Sequence, residues 1–168
     1  MPYQSRFQPA DDLITHLNPI VGGMADPFIV TRYVGFVAVA AVTVYELAIK
    51  DIFIDFATGK HKILGTFTES FFDRLNGRIR IADIREKYIP KFGDKYLTRF
   101  ERKLDAIEKS SLAQFGISIR SRYGNLITCR HDFAHQGIIS ATMTFPDVID
   151  AYESGKAVIH CLGATMRM

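Results

Sequence analysis

An arginine and two histidines have the residue types and the spacing needed to bind phosphate and transfer a proton. Arg130 precedes His135 by five positions, and His131 lies between them. If this stretch is helical, the two histidines lie on one face, one turn apart, and the Arg130 side chain can bend toward a group that His135 also contacts. A guanidinium suits phosphate oxygens, and an imidazole can accept or donate a proton near neutral pH. Such a pair could cleave RNA without a metal ion, by assisting attack of the ribose 2′-OH and by offsetting charge on the phosphate.

This cluster also has a purely structural interpretation. An Arg and a His at this spacing occur by chance in many chains of similar composition. His135 lies near the predicted C-terminus of its helix, where the negative end of the helix dipole stabilises an imidazolium. On spacing alone, catalysis and helix stabilisation both remain open.

We expect neither a metal site nor another cofactor. His131 and His135 have the i, i+4 spacing of some metal ligands, but Asp132 stands where the zinc-protease helix motif has Glu, and it lies off their face. The other histidines show no ligand spacing with the cysteines: His16, His61 and His160.

Helices are the elements predicted to position the cluster. The segment from Ser118 to Gln136 carries it, and Gly137 follows as a typical residue after a helix end. A helix of about 30 residues is predicted from Asp26-Pro27 to Thr58-Gly59, because Asp is a good N-cap and Pro suits the first turn. Other helical segments are predicted at Pro9 to Leu17, Thr66 to Asn76, Ala82 to Ile89, Asp94 to Leu112, and Phe145 to about Gly163.

The first half of the long helix has a competing interpretation as a pair of strands, because it contains several β-branched residues. No turn residues interrupt it and its apolar pattern continues to Phe56, so we favour the helix. The chain is therefore predicted to be an all-α bundle of five or six helices with one long early helix. Residues 1–25 are expected to form an N-terminal segment with a short helix, and residues 26–168 the helical domain.

Composition argues against several classes of protein. A chain of 168 residues that is 48% hydrophobic can bury one proper core. The two cysteines, Cys129 and Cys161, are too few for a disulfide framework and favour a reducing compartment. Met1 to Asn18 lacks the apolar block of a signal peptide, and the longest uncharged run, Tyr33 to Tyr45, is too short to cross a bilayer. We therefore expect a cytoplasmic protein that is not bound to a membrane.

Positive charge is concentrated in the middle of the chain. The formal net charge is only +3, but the stretch from Arg74 to Lys103 contains ten Lys or Arg and four acids. Such a surface can guide the phosphate backbone of RNA, and it can equally be a solvated face. The candidate RNA-binding residues are Arg74, Arg78, Arg80 and Arg122. Three tyrosines nearby could stack on bases, but half-buried packing is the preferred interpretation: Tyr88, Tyr96 and Tyr123.

Glu46 is the one acid in the middle of the apolar part of the long helix. It could be a solvated residue paired with Lys50, one turn further on. It could instead place a carboxylate at the edge of a pocket that contains Arg130 and His135. Both interpretations are open.

The stretch from Ile127 to Gly137 resembles the signature of HEPN domains, which has Arg, a polar residue, a few variable positions and then His, often with Ala before it and Gly soon after. The likeness extends beyond this motif. Tyr45-Glu46 on the long helix, the segment from Gly77 to Gly93, and Phe145 to Val148 occur in the order expected for the stand-alone RiboL-PSP-like branch. The resemblance covers roughly Asp26 to Gly163.

This resemblance implies a metal-independent endoribonuclease that cleaves single-stranded or loop RNA and leaves a 2′,3′-cyclic phosphate. It implies a homodimer in which two copies of the motif face each other, often in toxin–antitoxin or antiviral systems with a neutralising partner protein. Carried over by position, Arg130 and His135 are the catalytic pair. His131 takes the polar position after the Arg, where Asn or Asp is commoner, and Glu46 matches an acid found on the early helix.

Some relatives keep the fold and only bind RNA or partner proteins. A catalytically silent binding module that uses the same groove is therefore the alternative function. In that case the Arg130→Ala variant is expected to bind more weakly, and no RNA is cut.

Overall fold

The computed structural model describes residues 2–73, 77–137 and 143–167. Their regular elements are all helical, so the all-α prediction is confirmed. In chain order the α-helices are α1 (Gln8–Gly22), α2 (Pro27–Lys60), α3 (Lys62–Phe72), α4 (Ile81–Asp83), α5 (Asp94–Phe115), α6 (Ile119–Gln136) and α7 (Phe145–Thr165). Six of these seven have eleven residues or more. A 3₁₀ turn at Pro2–Phe7 precedes α1, and α4 continues into a π-helical turn (Ile84–Tyr88) and a 3₁₀ turn (Ile89–Phe92).

The long helix α2 is the centre of the bundle. It begins as predicted, because the Asp26 carboxylate accepts a 2.9 Å hydrogen bond from the backbone N–H of Phe28 and Pro27 occupies the first turn. Its 34 residues extend for about 51 Å. The other helices that pack against it are α1, α3, α6 and α7. A helix that is covered on several sides needs an apolar surface of this extent.

Within the described part of the chain, α2 is the one helix that is long and apolar enough to cross a membrane, judged by length and composition alone. A core helix passes the same test. Fourteen of its residues are buried, and twelve of them belong to the same hydrophobic core as side chains from α1, α6 and α7. Cytoplasmic localisation stays a prediction.

The predicted end of α1 and the predicted start of α3 are wrong. α1 does not stop at Asn18-Pro19 but continues through Pro19 to Gly22. Proline removes only one backbone donor, and the added turn buries Val21 next to Leu17. α3 begins at Lys62 and not near Thr66, because the His61 side chain caps it by accepting a 3.2 Å hydrogen bond from the N–H of Ile63.

A layer of three tyrosines joins the helices that hold the motif. Tyr45 on α2 stacks between Tyr123 on α6 and Tyr152 on α7, with ring centroids 5.9 and 5.7 Å apart. The Tyr123 hydroxyl donates a 2.6 Å hydrogen bond to the Ile79 carbonyl oxygen, and burial raises its pKa far above the usual value. Tyr123 is fully buried, so packing is confirmed for it and base stacking is not possible.

Candidate active site

Helix α6 lies antiparallel to α2. The Tyr123 ring contacts Tyr45, and the Phe133 ring lies over Gly35, so the end of α6 is beside the start of α2. Ser118 caps the first turn by accepting a hydrogen bond from the N–H of Ser121. At the other end Gly137 has φ +65°, the left-handed conformation that closes a helix. The predicted helix over 118–136 is therefore confirmed at both ends.

The two motif histidines form an exposed pair at this end of α6. The ring centroids of His131 and His135 are 4.6 Å apart, with the rings tilted by 51°. Both residues are exposed. This is the one-face arrangement predicted from their i, i+4 spacing. Among the described residues, no three His, Cys, Asp or Glu side chains gather as a group that could hold a metal ion.

The Arg130 guanidinium lies against the backbone of Gly77. A Cβ added to Gly77 would be 3.2 Å from Nη1 of Arg130, and Gly77 has φ +77°. Arg130 is half-buried, and its Nε is buried without a hydrogen-bond partner. It forms no ion pair with a carboxylate in the described part of the chain. No described carboxylate neutralises this guanidinium, so its charge can still attract an anion.

Glu46 contacts the backbone of the same residue, Gly77. Its Oε2 accepts a 2.8 Å hydrogen bond from the Gly77 N–H, and its Oε1 lies 3.3 Å from Lys50 Nζ. Glu46 therefore pairs with Lys50 and also contacts Gly77, the residue against which Arg130 lies. The carboxylate reaches Arg130 through Gly77, because no Glu46–Arg130 ion pair exists.

The histidines lie apart from this carboxylate. The contacts of Phe133 with Gly35 and of Gly137 with Arg32 place His135 level with the start of α2. That position is eleven or more residues before Glu46, or about 16 Å of helix. Within one chain the structure therefore brings Arg130, Gly77 and Glu46 together, and no described contact joins His131 or His135 to Gly77 or Glu46.

The family model of RiboL-PSP-HEPN matches residues 3–166. The chain belongs to the RiboL-PSP-HEPN family. The match includes the 3₁₀ turn and α1 as well as the later helices. Comparison with curated proteins and with solved structures gave no significant match. HEPN domains include ribonucleases, so family membership supports an RNA-related enzymatic function at this coarse level.

Arg32 is a residue near the HEPN motif that no sequence pattern indicated. Its Nη1 donates a 2.7 Å hydrogen bond to the Gly137 carbonyl oxygen, two residues beyond His135, and its guanidinium carbon lies 4.8 Å from the centre of the Phe28 ring. The contact joins residues 105 positions apart. Local spacing cannot reveal such a pair, and only the antiparallel packing of α2 and α6 brings a second guanidinium to the histidine end.

The four arginines proposed as RNA contacts of this HEPN domain are not equivalent. Arg78 and Arg80 are exposed on the segment before α4. Arg122 is half-buried on α6 and its guanidinium lies 3.2 Å from the Asp150 carboxylate. Arg74 lies outside the described residues. The exposed pair is therefore the better placed for a phosphate backbone.

Proposed function

We propose that the protein is a metal-independent endoribonuclease that acts as a homodimer and cleaves RNA by attack of the ribose 2′-OH. The observation that supports this most is the state of the motif side chains on α6. Arg130 has a buried Nε without a partner beside Gly77, and His131 and His135 are exposed one turn apart. Folding alone gives no reason to leave a half-buried guanidinium without an acid.

The chemistry follows from the properties of these groups. One His135 accepts the proton of the 2′-OH while O2′ forms a bond to the adjacent phosphorus. The bond from phosphorus to O5′ breaks, and the leaving O5′ takes a proton from a water molecule, which the imidazolium of the same His135 reprotonates. The products are a 2′,3′-cyclic phosphate and a 5′-OH. Arg130 binds the phosphate oxygens, on which negative charge increases in the transition state.

A homodimer is part of the proposal because, among the described contacts, Arg130 lies against Gly77 and His135 against His131, and none joins Arg130 to His135. The histidine end of α6 borders exposed apolar side chains on α2: Phe28 is 65% exposed and Phe36 is 51% exposed. The Phe36 ring packs edge-on against Phe133, with centroids 5.5 Å apart. A second copy that covers this face would bury both phenylalanines and would bring its own motif to the first.

Only the family likeness supports placing this activity in a toxin–antitoxin or phage-defence system with a neutralising partner protein. His131 and Glu46 are proposed as positioning residues. His131 packs against His135, and Glu46 holds Gly77 beneath Arg130.

The decisive experiment incubates purified protein with mixed single-stranded RNA in EDTA. We expect the wild type to cut, the His135→Ala variant to be inactive, and the His16→Ala variant, altered at an exposed histidine of α1, to match the wild type. Mass spectrometry of the products should show cyclic phosphate ends. Cleavage by His135→Ala at the wild-type rate would refute the proposal.

A second candidate is a catalytically silent HEPN module that binds RNA or a protein in the same region. One observation favours it: the guanidinium of Arg130 lies against Gly77 of its own chain. In the same experiment this candidate predicts a dimer that retains RNA but never cuts it. It also predicts that Arg130→Ala weakens binding.

A further inference from the structure

A groove of about 1000 Å³ lies between α3 and the segment that runs from Arg78 to Lys91. On the α3 side it is lined by Phe67, which is 70% exposed, and by Phe71, which is 40% exposed. The opposite side supplies three cations: Arg78, Lys87 and Lys91. We call this the α3 groove. It lies outside the α6 motif, and no part of the motif explains its aromatic and basic lining.

We propose that the α3 groove binds single-stranded RNA and leads it to Arg130. This inference rests on the proposed function and states where the RNA substrate binds. Single strands bind where aromatic rings can stack on bases and nearby cations track the phosphates, because every base has a stacking face. Phe67 is too exposed to serve the core, and an exposed phenylalanine beside basic side chains fits this use.

The charges of the groove favour a polyanion. Lys91 Nζ lies 4.8 Å from the centre of the Phe71 ring, so a cation sits directly beside a stacking surface. Arg78 is exposed and forms no ion pair with any residue that the structure describes. Lys87 is paired with Asp83, and Glu86 is the one acid among the described groove residues. The two cations without ion pairs, Arg78 and Lys91, are therefore the expected phosphate contacts.

The groove is continuous with the Arg130 site through two adjacent residues. Gly77 lies under the guanidinium of Arg130, and the next residue is Arg78. Their backbone is held at both ends, by Glu46 at the Gly77 N–H and by the Tyr88 hydroxyl, which donates a 2.6 Å hydrogen bond to the Arg78 carbonyl oxygen. A strand with a phosphate on Arg78 would therefore place a neighbouring phosphate near Arg130. This continuity favours RNA over an acidic protein segment.

Binding is measured by fluorescence anisotropy with a labelled single-stranded oligonucleotide that carries 2′-O-methyl groups throughout, so that it cannot be cleaved. We expect Phe67→Ala to raise Kd about fivefold or more, as for loss of one stacked base. The matched control is Phe115→Ala, because Phe115 is 64% exposed at the end of α5, away from the groove. It should bind like the wild type.

The salt dependence tests the phosphate contact. Lys91→Ala should reduce the slope of log Kd against log salt by about 0.7, as expected for one phosphate contact to a single strand. Lys109→Ala, which removes an exposed lysine of α5, should leave the slope unchanged. Wild-type affinity in both Phe67→Ala and Lys91→Ala would overturn the inference, as would equal competition by poly-glutamate at the same salt concentration.

These outcomes test RNA binding in the α3 groove independently of RNA cleavage. Binding of the uncleavable strand does not require catalysis, so loss of binding in the groove variants would support the groove even if no RNA were ever cut. Conversely, cleavage by the wild type with unchanged binding in both groove variants would leave the proposed function standing and refute the groove.

Discussion

The carboxylate of Glu46 accepts a 2.8 Å hydrogen bond from the backbone N–H of Gly77, the residue against which the Arg130 guanidinium lies. This contact links α2 to the candidate catalytic residue Arg130 through one loop residue, Gly77. Glu46 makes no ion pair with Arg130, so its influence on the guanidinium is indirect. Glu46 is therefore a positioning residue, and its effect depends on its carboxylate accepting the hydrogen bond from the Gly77 N–H.

Glu46→Ala should lower both the free energy of unfolding and RNA cleavage. The change leaves the Gly77 N–H without its acceptor, at a cost of about 1 to 3 kcal/mol, and frees the loop beneath Arg130. Glu46→Gln keeps an oxygen that can accept the bond and should recover most of both losses. Urea denaturation and kcat/KM measure the two quantities. Equal behaviour of the Ala and Gln variants would contradict the positioning role.

Gly77→Ala should reduce activity more than its backbone strain explains. Gly77 has φ +77°, which costs a residue with a Cβ about 1 to 2 kcal/mol, and the added Cβ would press on Arg130 Nη1 at 3.2 Å. Gly116→Ala is the matched control, because Gly116 has φ +67° and open space around its Cβ position. Both variants should lose similar stability in urea. If they also cleave RNA equally well, the contact with Arg130 has no functional role.

Much of this architecture can be predicted from local sequence signals. The Asp26 N-cap and Gly137 after α6 mark helix ends at their true positions, because capping depends on a few adjacent residues. The His131–His135 pair follows directly from helical periodicity. In each case the deciding interaction lies within one turn of helix.

What could not be predicted depends on packing between distant segments. The sequence does not reveal the start of α3, because histidine is an uncommon N-cap. It does not reveal the end of α1, because the burial of Val21 outweighs the cost of a proline inside the helix. The link from Glu46 to Arg130 runs through Gly77, which is 31 residues from one and 53 from the other. No spacing rule joins residues in three separate elements.

Gly35→Ala should destabilise the junction of α2 and α6 at the histidine end. An added Cβ would overlap the Phe133 ring, and overpacking of this kind costs about 1 to 3 kcal/mol. Gly124→Ala, on α6 itself, meets nothing within 4 Å and should stabilise the helix by about 0.5 to 1 kcal/mol. Urea denaturation measures the free energy of unfolding of both variants. A Gly35→Ala variant that is more stable than the wild type would show that α2 and α6 can move apart at no cost.

Cys129 should resist alkylation at neutral pH. Burial, and then the charge of Asp132, raises the pKa of its thiol to about 11, so the reactive thiolate is scarce. Iodoacetamide should label Cys129 far more slowly in the native protein than in urea. Because this pKa is above its unfolded value, the stabilising contribution of the thiol is complete below about pH 8.5 and is lost as pH rises toward 11. Stability relative to Cys129→Ala should therefore fall between about pH 8.5 and pH 11, and a constant difference would contradict the raised pKa.

Mixing two inactive variants tests whether the site is shared between subunits. Arg130→Ala retains His135, and His135→Ala retains Arg130. In a mixed dimer one intact guanidinium and one intact imidazole remain on different chains. Because Arg130 lies against Gly77 and His135 against His131 within one chain, we expect the mixture to regain cleavage that neither variant shows alone. Native mass spectrometry of differently tagged chains establishes that mixed dimers form. If they form and remain as inactive as either parent, each chain must use its own Arg130 and His135 together, and the shared site is ruled out.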